Sequence, residues 1–287
     1  MKTAYLFPGQ GSQFKGMGRD LFDLYPEHVA EASHVLGYSV RELCLEDPER
    51  KLGQTRYTQP ALYVVNALTY LQKVETAGVL PHFAAGHSLG EYNALLAAGA
   101  FDWVTGLRLV QKRGELMSRV SGGGMAAVLG FLPHQVSRTL RASALSGLDV
   151  ANFNSYDQTV IAGPKDEIAQ AVGVFDAAGA SRVVPLNVSA PFHSRYMRDT
   201  EDEFRVFLRE FEFAHLTFPV ISNFRAEPYR ESEITETLAR QISQPVRWIE
   251  SIEYLMRQGE MDYQEVGPGS VLTKLVQQVR GRSAFAG

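Results

Sequence analysis

Cysteine is almost missing from this chain. Cys44 stands alone among 287 residues, so neither an internal disulfide nor a cysteine-based metal cluster can form. A leucine on either side of it marks a packing position. An excess of positive charge is also lacking: Lys and Arg number 28 against 32 Asp and Glu, a formal net charge of -4, which leaves no basic footprint for nucleic acid. A local basic site for a phosphorylated small molecule stays open. No uncharged apolar stretch reaches the roughly 18 residues needed to cross a bilayer. The opening MKTAYLFPGQG breaks at Pro8 and Gly9 before the apolar core of a signal peptide develops. A cytoplasmic protein is expected, with no membrane and no nucleic acid among its partners. Internal repeats and low-complexity tracts are absent. The rest is ordinary globular composition, 45% hydrophobic and 21% charged, enough for one large cored domain or a large one carrying a small one.

TAYLF (3–7) reads as a first strand, broken at once by PGQGSQ. A helical pattern follows from Pro60, taken as a first-turn proline, to Gly78 at the C-cap. FAAG (83–86) is a short buried strand and GEYNALLAAG resumes helical periodicity, the order of doubly wound parallel sheets. TGLRLVQKRGELM (105–117) is another helix, and SGGG (121–124) interrupts the chain. Residues 125–190 then read strand, helix, strand, strand, helix, strand, the last strand being SRVVPLNV. That is the ferredoxin-like order. Residues 1–124 and 191–287 form the other unit, with a long helix from Ser194 to about Phe211, strand FPVISNF, helices near 231–243 and 246–258, a strand near YQEVG and a last helix SVLTKLVQQV.

Gly86-His87-Ser88-Leu89-Gly90 fits G-x-S-x-G and sits where that motif works, between an apolar strand and a helix. A sharp turn there lifts the Ser88 hydroxyl clear of the sheet, and the Leu89 amide at the helix start is a natural donor to an oxyanion. A helix N-cap serine is the alternative. A second donor fits at Gln10, between glycines at the end of the first strand; the alternative is a plain tight turn. The segment is no dinucleotide fingerprint, since position 14 is Phe, and no phosphate loop.

A serine needs a base. His87 is adjacent, but successive side chains point apart, so it suits the pocket wall better. His193, in SAPFHSRYM, lies at the seam where the small unit ends and can overhang the serine. For a third member, Asp102 looks like a cap and Asp199 sits on an exposed-looking helix, so a backbone carbonyl could orient the imidazole instead. Arg113 shares an apolar strip with Leu109 and Met117 rather than the plain solvent face. Arginine there could grip a carboxylate by two parallel bonds; a surface arginine beside Lys112 is the alternative.

Taken together, LFPGQGSQ, TQPAL, GHSLGEY, QKRGELM, NFNSYDQTVIAG, APFHS, RQISQPVRW and EVGPGSVLTKL run in the order of one family. The chain resembles the malonyl-CoA:acyl carrier protein transacylases over essentially its full length. The resemblance implies an α/β-hydrolase-like larger subdomain with an inserted ferredoxin-like smaller one. It implies Ser88 as nucleophile, His193 as its partner, the Gln10 and Leu89 amides as the oxyanion hole, and Arg113 on the malonyl carboxylate. The main-chain carbonyl of Gln241 would orient the histidine. Asn152 and Asn154 match a segment near the acyl cleft, where His87, Met117 and Phe192 would also line the substrate site. Phe192 resembles the malonyl type, where the methylmalonyl type usually carries serine. Asn93 and its surroundings resemble the discrete, trans-acting acyltransferases of polyketide synthases more than the housekeeping fatty-acid enzyme. The substrate implied is malonyl-CoA and the acceptor the phosphopantetheine thiol of a holo-acyl carrier protein or a polyketide synthase carrier domain. No bound cofactor or metal is expected, and a monomer is.

Overall fold

The computed structural model describes residues 1–188 and 190–283. The expected unit ranges 125–190 and 191–287 therefore include Ser189 and residues 284–287, which lie outside the described residues. In chain order the elements are β1 (Lys2–Phe7), α1 (Arg19–Leu24), α2 (Pro26–Leu36), α3 (Val40–Leu45), α4 (Thr55–Ala77), β2 (Phe83–Gly86), α5 (Gly90–Ala97) and α6 (Trp103–Arg119). There follow β3 (Gly123–Leu129), α7 (Pro133–Ala142), β4 (Asp149–Ser155), β5 (Gln158–Pro164), α8 (Lys165–Ala177) and β6 (Arg182–Pro185). The chain ends with α9 (Arg198–Leu208), β7 (Val220–Ile221), α10 (Ile234–Gln241), α11 (Trp248–Arg257), β8 (Met261–Glu265) and α12 (Val271–Ser283).

Two sheets organise these elements. The first is parallel, in the order β7-β2-β1-β8, with Phe7 opposite Gly86 and Leu6 opposite Glu265. Alternation along its strands feeds two cores. Tyr5, Phe7 and Ala84 pack with α4, α5 and α6 on one face, while Ala4, Leu6, Phe83 and Ala85 meet Trp248, Ile252 and Leu275 on the other. The second sheet is antiparallel, in the order β4-β5-β3-β6, and buries Val128 and Ile161 against Val136 of α7 and Ile168 and Phe175 of α8. Strand order and helix placement are those of the ferredoxin-like pattern. Strand β4 of this sheet is tied to the segment before α11, where Phe153 donates to Val246 O (2.9 Å) and Val246 donates to Ala151 O (2.9 Å).

Several expectations need correction. Helix α4 starts at Thr55, so Pro60 is interior rather than in the first turn. The turn ahead of it is tied down by the Thr58 hydroxyl, which donates to Leu52 O (2.6 Å) and Gln54 O (3.0 Å), and by the burial of Thr55, Thr58 and Gln59. Helices α1 to α3 had no sequence assignment. The run expected as one helix from Ser194 opens as a 3₁₀ turn at Arg195–Met197, and FPVISNF keeps only two residues of strand. SRVVPLNV pairs only over Arg182–Pro185, where β3 offers partners. The glycine run is not wholly an interruption, since Gly123 and Gly124 pair with Pro164 and Gly163 inside the ladder.

The parallel sheet presents the ends of β1 and β2 side by side, and the turns leaving them touch. A Cβ on Gly90 would lie 1.9 Å from Phe7 O, and one on Gly86 would lie 1.9 Å from Gly90 C. Gly90→Ala is therefore expected to destabilise the fold by about 3 kcal/mol or more, read as a lowered urea midpoint. Gly173, in α8 with nothing within 4 Å of its Cβ position, provides the contrast. Gly173→Ala is expected to stabilise by about 0.5–1 kcal/mol.

Candidate active site

Ser88 occupies the turn between β2 and α5 with φ of +51°, a left-handed conformation uncommon for a side chain of any size. The turn is tied from below. Asn223, just beyond β7, accepts from the Ser88 amide (2.6 Å) and donates to Gly86 O (2.6 Å), bracketing the serine. Leu89, not Ser88, occupies the N-cap of α5, so the hydroxyl is free of capping duty.

That hydroxyl lies 2.8 Å from His193 Nε2 and accepts from Arg113 Nη2 at 3.1 Å. His193 also has a left-handed backbone, φ +56°, and its Nδ1 meets Gln241 O at 2.7 Å. With a carbonyl as its partner, Nδ1 carries the proton and Nε2 presents its lone pair to the serine. Burial, reinforced by the Arg113 charge, pulls the His193 pKa down to about 3, so the ring is neutral at ordinary pH. The two carboxylates weighed from sequence stand elsewhere: Asp102 caps α6 by accepting from Thr105 N (2.7 Å), and Asp199 lies in the first turn of α9.

Arg113 is 1% exposed, which rules out the surface reading. Its guanidinium stands 5.5 Å from the Tyr92 ring centroid, donates through Nη1 to Gln59 Oε1 (2.7 Å) and through Nη2 to Gln241 Oε1 (2.9 Å), and leaves Nε unpaired. No carboxylate touches it among the described residues. Gln59 completes its amide by donating to Met117 Sδ at 3.4 Å.

Glu91 lies behind this group, fully buried. It accepts from the Tyr229 hydroxyl, from the Asn223 amide (3.0 Å) and from Gln241 Nε2 (2.8 Å). Burial pushes its carboxyl up to about 7, against the pull of those three donors and of the Arg113 charge.

A small chamber of about 100 Å³ opens over the serine, lined by Gln10, His87, Leu89, Met117, Asn152 and Phe192 among others. Beside it a cavity of about 400 Å³ runs between the two sheets' units, walled by residues 8–13, Asn154, Leu186 and Val271. His87 belongs to both. Its Nε2 bonds Asn154 Oδ1 (2.8 Å) and its ring packs on Trp248 (5.5 Å), away from any role on the serine proton. Among the described residues neither the Gln10 nor the Leu89 main-chain N–H meets a protein acceptor, while the Gln10 side-chain amide donates to Thr55 Oγ1 at 3.3 Å, and both residues line the chamber. The residues expected to form the site are thus together, with Asn154 one step out and Gln241 beneath the floor. Among the described residues no cluster of His, Cys, Asp or Glu is placed to hold a metal ion.

Residues 4–283 match the family model described as acyl transferase domain. The chain belongs to the acyl transferase domain family. Its relatives include the polyketide biosynthesis malonyl CoA-acyl carrier protein transacylase PksC of Bacillus subtilis, 53% identical over 96% of both chains. Another is the malonyl CoA-acyl carrier protein transacylase of Escherichia coli, 39% identical over 96% of this chain and 92% of that one. A longer relative, polyketide biosynthesis protein PksE of B. subtilis, is 52% identical, and the chain spans 36% of its length. Among solved structures, a malonyl CoA-acyl carrier protein transacylase from Burkholderia pseudomallei superposes with a TM-score of 0.95 at 49% identity, covering 98% of this chain and 99% of that one. A malonyl-transacylase in complex with its type II PKS acyl-carrier protein gives 0.93 at 39% identity, with 98% and 94% covered. The two-sheet architecture is that of these family members.

Gln59, Glu91, Asn223 and Tyr229 escaped the sequence reading. The signal for Glu91 was present, a lone charge at the start of an otherwise apolar helix; Asn223 and Tyr229 act only through the fold.

The depressed His193 pKa has a consequence for stability. Unfolded, the ring takes a proton near its ordinary value of 6.5; folded, only near 3. Its contribution is complete above 6.5 and is lost as pH falls toward 3. His193→Gln is therefore expected to flatten the pH dependence of urea stability across that window by about 1.4 kcal/mol per pH unit, one proton's worth.

Proposed function

We propose that this acyltransferase moves a malonyl group from malonyl-CoA to the phosphopantetheine thiol of an acyl carrier protein, through an ester on Ser88. The observation that carries the reading is one hydroxyl placed 2.8 Å from a neutral imidazole and 3.1 Å from a buried guanidinium lacking a carboxylate partner. Such an arrangement suits an acyl group with a free acid at its far end.

His193 Nε2 takes the Ser88 proton as Oγ attacks the thioester carbonyl. The oxyanion is held by the Gln10 and Leu89 amides, each donor being worth about 3 kcal/mol. As the tetrahedral intermediate collapses, the C–S bond breaks and the imidazolium returns its proton to the departing CoA sulfur. The carrier thiol then enters, His193 takes its proton, and the steps reverse to release Ser88. Once Oγ carries the acyl group, the Nη2–H it had accepted is free for the malonyl carboxylate. That pairing also offsets the positive charge that weakens His193 as a base, so malonate both binds and assists. Gln241 O holds the imidazole tautomer, and Phe192 narrows the room around the α-carbon. His87 and Asn152 line the acyl cleft, and Asn154 steadies His87.

A polyketide setting is favoured over housekeeping fatty-acid synthesis, with carrier domains served in trans. Relatives named for polyketide biosynthesis are 53% and 51% identical, against 42% and 39% for transacylases named without that role. Side-by-side transfer to polyketide and fatty-acid holo-carriers tests this, equal rates on both counting against it.

Two variants test the site. Ser88→Ala is expected to take up no malonyl mass from malonyl-CoA. Arg113→Ala is expected to cut malonyl kcat/KM by about 100-fold while leaving acetyl-CoA much less affected. An unchanged malonyl preference would remove the arginine from substrate binding, and rapid loss of the ester to water without carrier would favour a hydrolase.

A further inference from the structure

Glu91 is a buried acid to which the proposed reaction assigns no step. It is the second residue of α5, 0% exposed, three positions past the serine. Oε1 meets the Tyr229 hydroxyl, and Oε2 accepts from two N–H groups, the Asn223 main-chain amide at 3.0 Å and Gln241 Nε2 at 2.8 Å. The two N–H donors on Oε2 favour the carboxylate, against the burial that pushes the carboxyl up to about 7, so the charged form prevails above neutral pH.

Glu91 and Arg113 do not touch. The side chain of Gln241 lies between them, and only one orientation of its amide satisfies all its neighbours. Its nitrogen donates to two pure acceptors, Ser88 O at 2.8 Å and Glu91 Oε2 at 2.8 Å, and its oxygen accepts from a pure donor, Arg113 Nη2, at 2.9 Å. Turned over, the amide would set NH₂ against the guanidinium and oxygen against both acceptors. The same residue offers its main-chain carbonyl to His193 Nδ1.

We infer that Glu91 is a positioning residue for acyl-group selection: by fixing the Gln241 amide, it holds the Arg113 guanidinium where the free carboxylate of a dicarboxylic acyl thioester can meet it. A carboxylate bonded directly to Arg113 would compete with substrate for the same N–H groups. One placed an amide away balances part of the buried charge and leaves those groups available. The inference rests on the malonyl-transfer reading and adds to it the device that sets its preference.

The experiment measures serine acylation by malonyl-CoA and acetyl-CoA in purified Glu91→Gln, Glu91→Asp and Tyr229→Phe. Glu91→Gln removes the charge and turns an NH₂ toward the donor set. It is expected to lower the malonyl-to-acetyl ratio of kcat/KM about tenfold, mostly through KM for malonyl-CoA. Glu91→Asp keeps the charge but draws it back from Gln241 by one methylene, and is expected to lose the ratio too, deciding the matter if the Gln variant does not fold. Tyr229→Phe removes one donor to Glu91 but keeps its bond to Gln241; with all variants assayed at about pH 9, above the value of about 7 at which the acid ionises, the wild-type ratio should persist whatever happens to the melting temperature. A folded Glu91 variant with the wild-type ratio would overturn the inference, as would an equal loss in Tyr229→Phe, which would mark general packing damage. If the unmodified protein forms no malonyl ester at all, the transfer reading fails instead, a result distinct from either.

Discussion

The chain reverses at Ser88 with φ of +51°, between two glycines whose Cβ positions are already filled by backbone. Everything that makes the hydroxyl useful depends on that crowding. The residue's left-handed conformation costs about 1–2 kcal/mol, and the surroundings hold it there: Asn223 spans the turn from Ser88 N to Gly86 O, and Gln241 reaches up to Ser88 O. The same close approach of the β1 and β2 turns brings Gln10 to the chamber and starts α5 beneath Leu89. Steric necessity at two glycines thus becomes an oriented oxygen in a chamber that Gln10 and Leu89 line.

The electrostatics are built around groups kept one hydrogen bond apart. His193 is held neutral by burial and by a nearby cation, and its tautomer is fixed by a carbonyl rather than an acid. Arg113 is buried with amides, an aromatic face and the serine for company, and the acid that complements it stands behind Gln241. A buried guanidinium with no acid in contact is costly in isolation. In the proposed transfer the malonyl carboxylate would supply the missing partner, which would tie binding to the basicity of the histidine.

Much of this was legible from residue order. The strand, turn and helix around Ser88 follow from FAA, two glycines and ALLAAG, and the small sheet's βαββαβ rhythm survives in the observed order β4-β5-β3-β6. Arg113 betrayed itself by sharing a strip with Leu109 and Met117. Failures have physical causes. Helix α4 begins ahead of Pro60, a residue that marks helix N-termini, because Thr55, Thr58 and Gln59 are buried there. The run after Ser194 carries one helical pattern although its first turn is 3₁₀, since that turn differs from α only in its hydrogen-bond spacing. Asn223 and Tyr229 could not be placed at all, since they meet Glu91 only after β7 has docked on β2, more than 130 residues along the chain.

The central claim is that one acyl group is gripped at both ends, esterified at Ser88 and paired at Arg113. A crystal structure of the protein trapped after exposure to malonyl-CoA tests it most directly. The expected result is a malonyl ester on Ser88 Oγ, its carbonyl oxygen facing the Gln10 and Leu89 amides and its carboxylate about 2.8 Å from the Arg113 guanidinium. An acyl group bonded to any other residue, or a carboxylate turned away from Arg113 toward solvent, would contradict the claim.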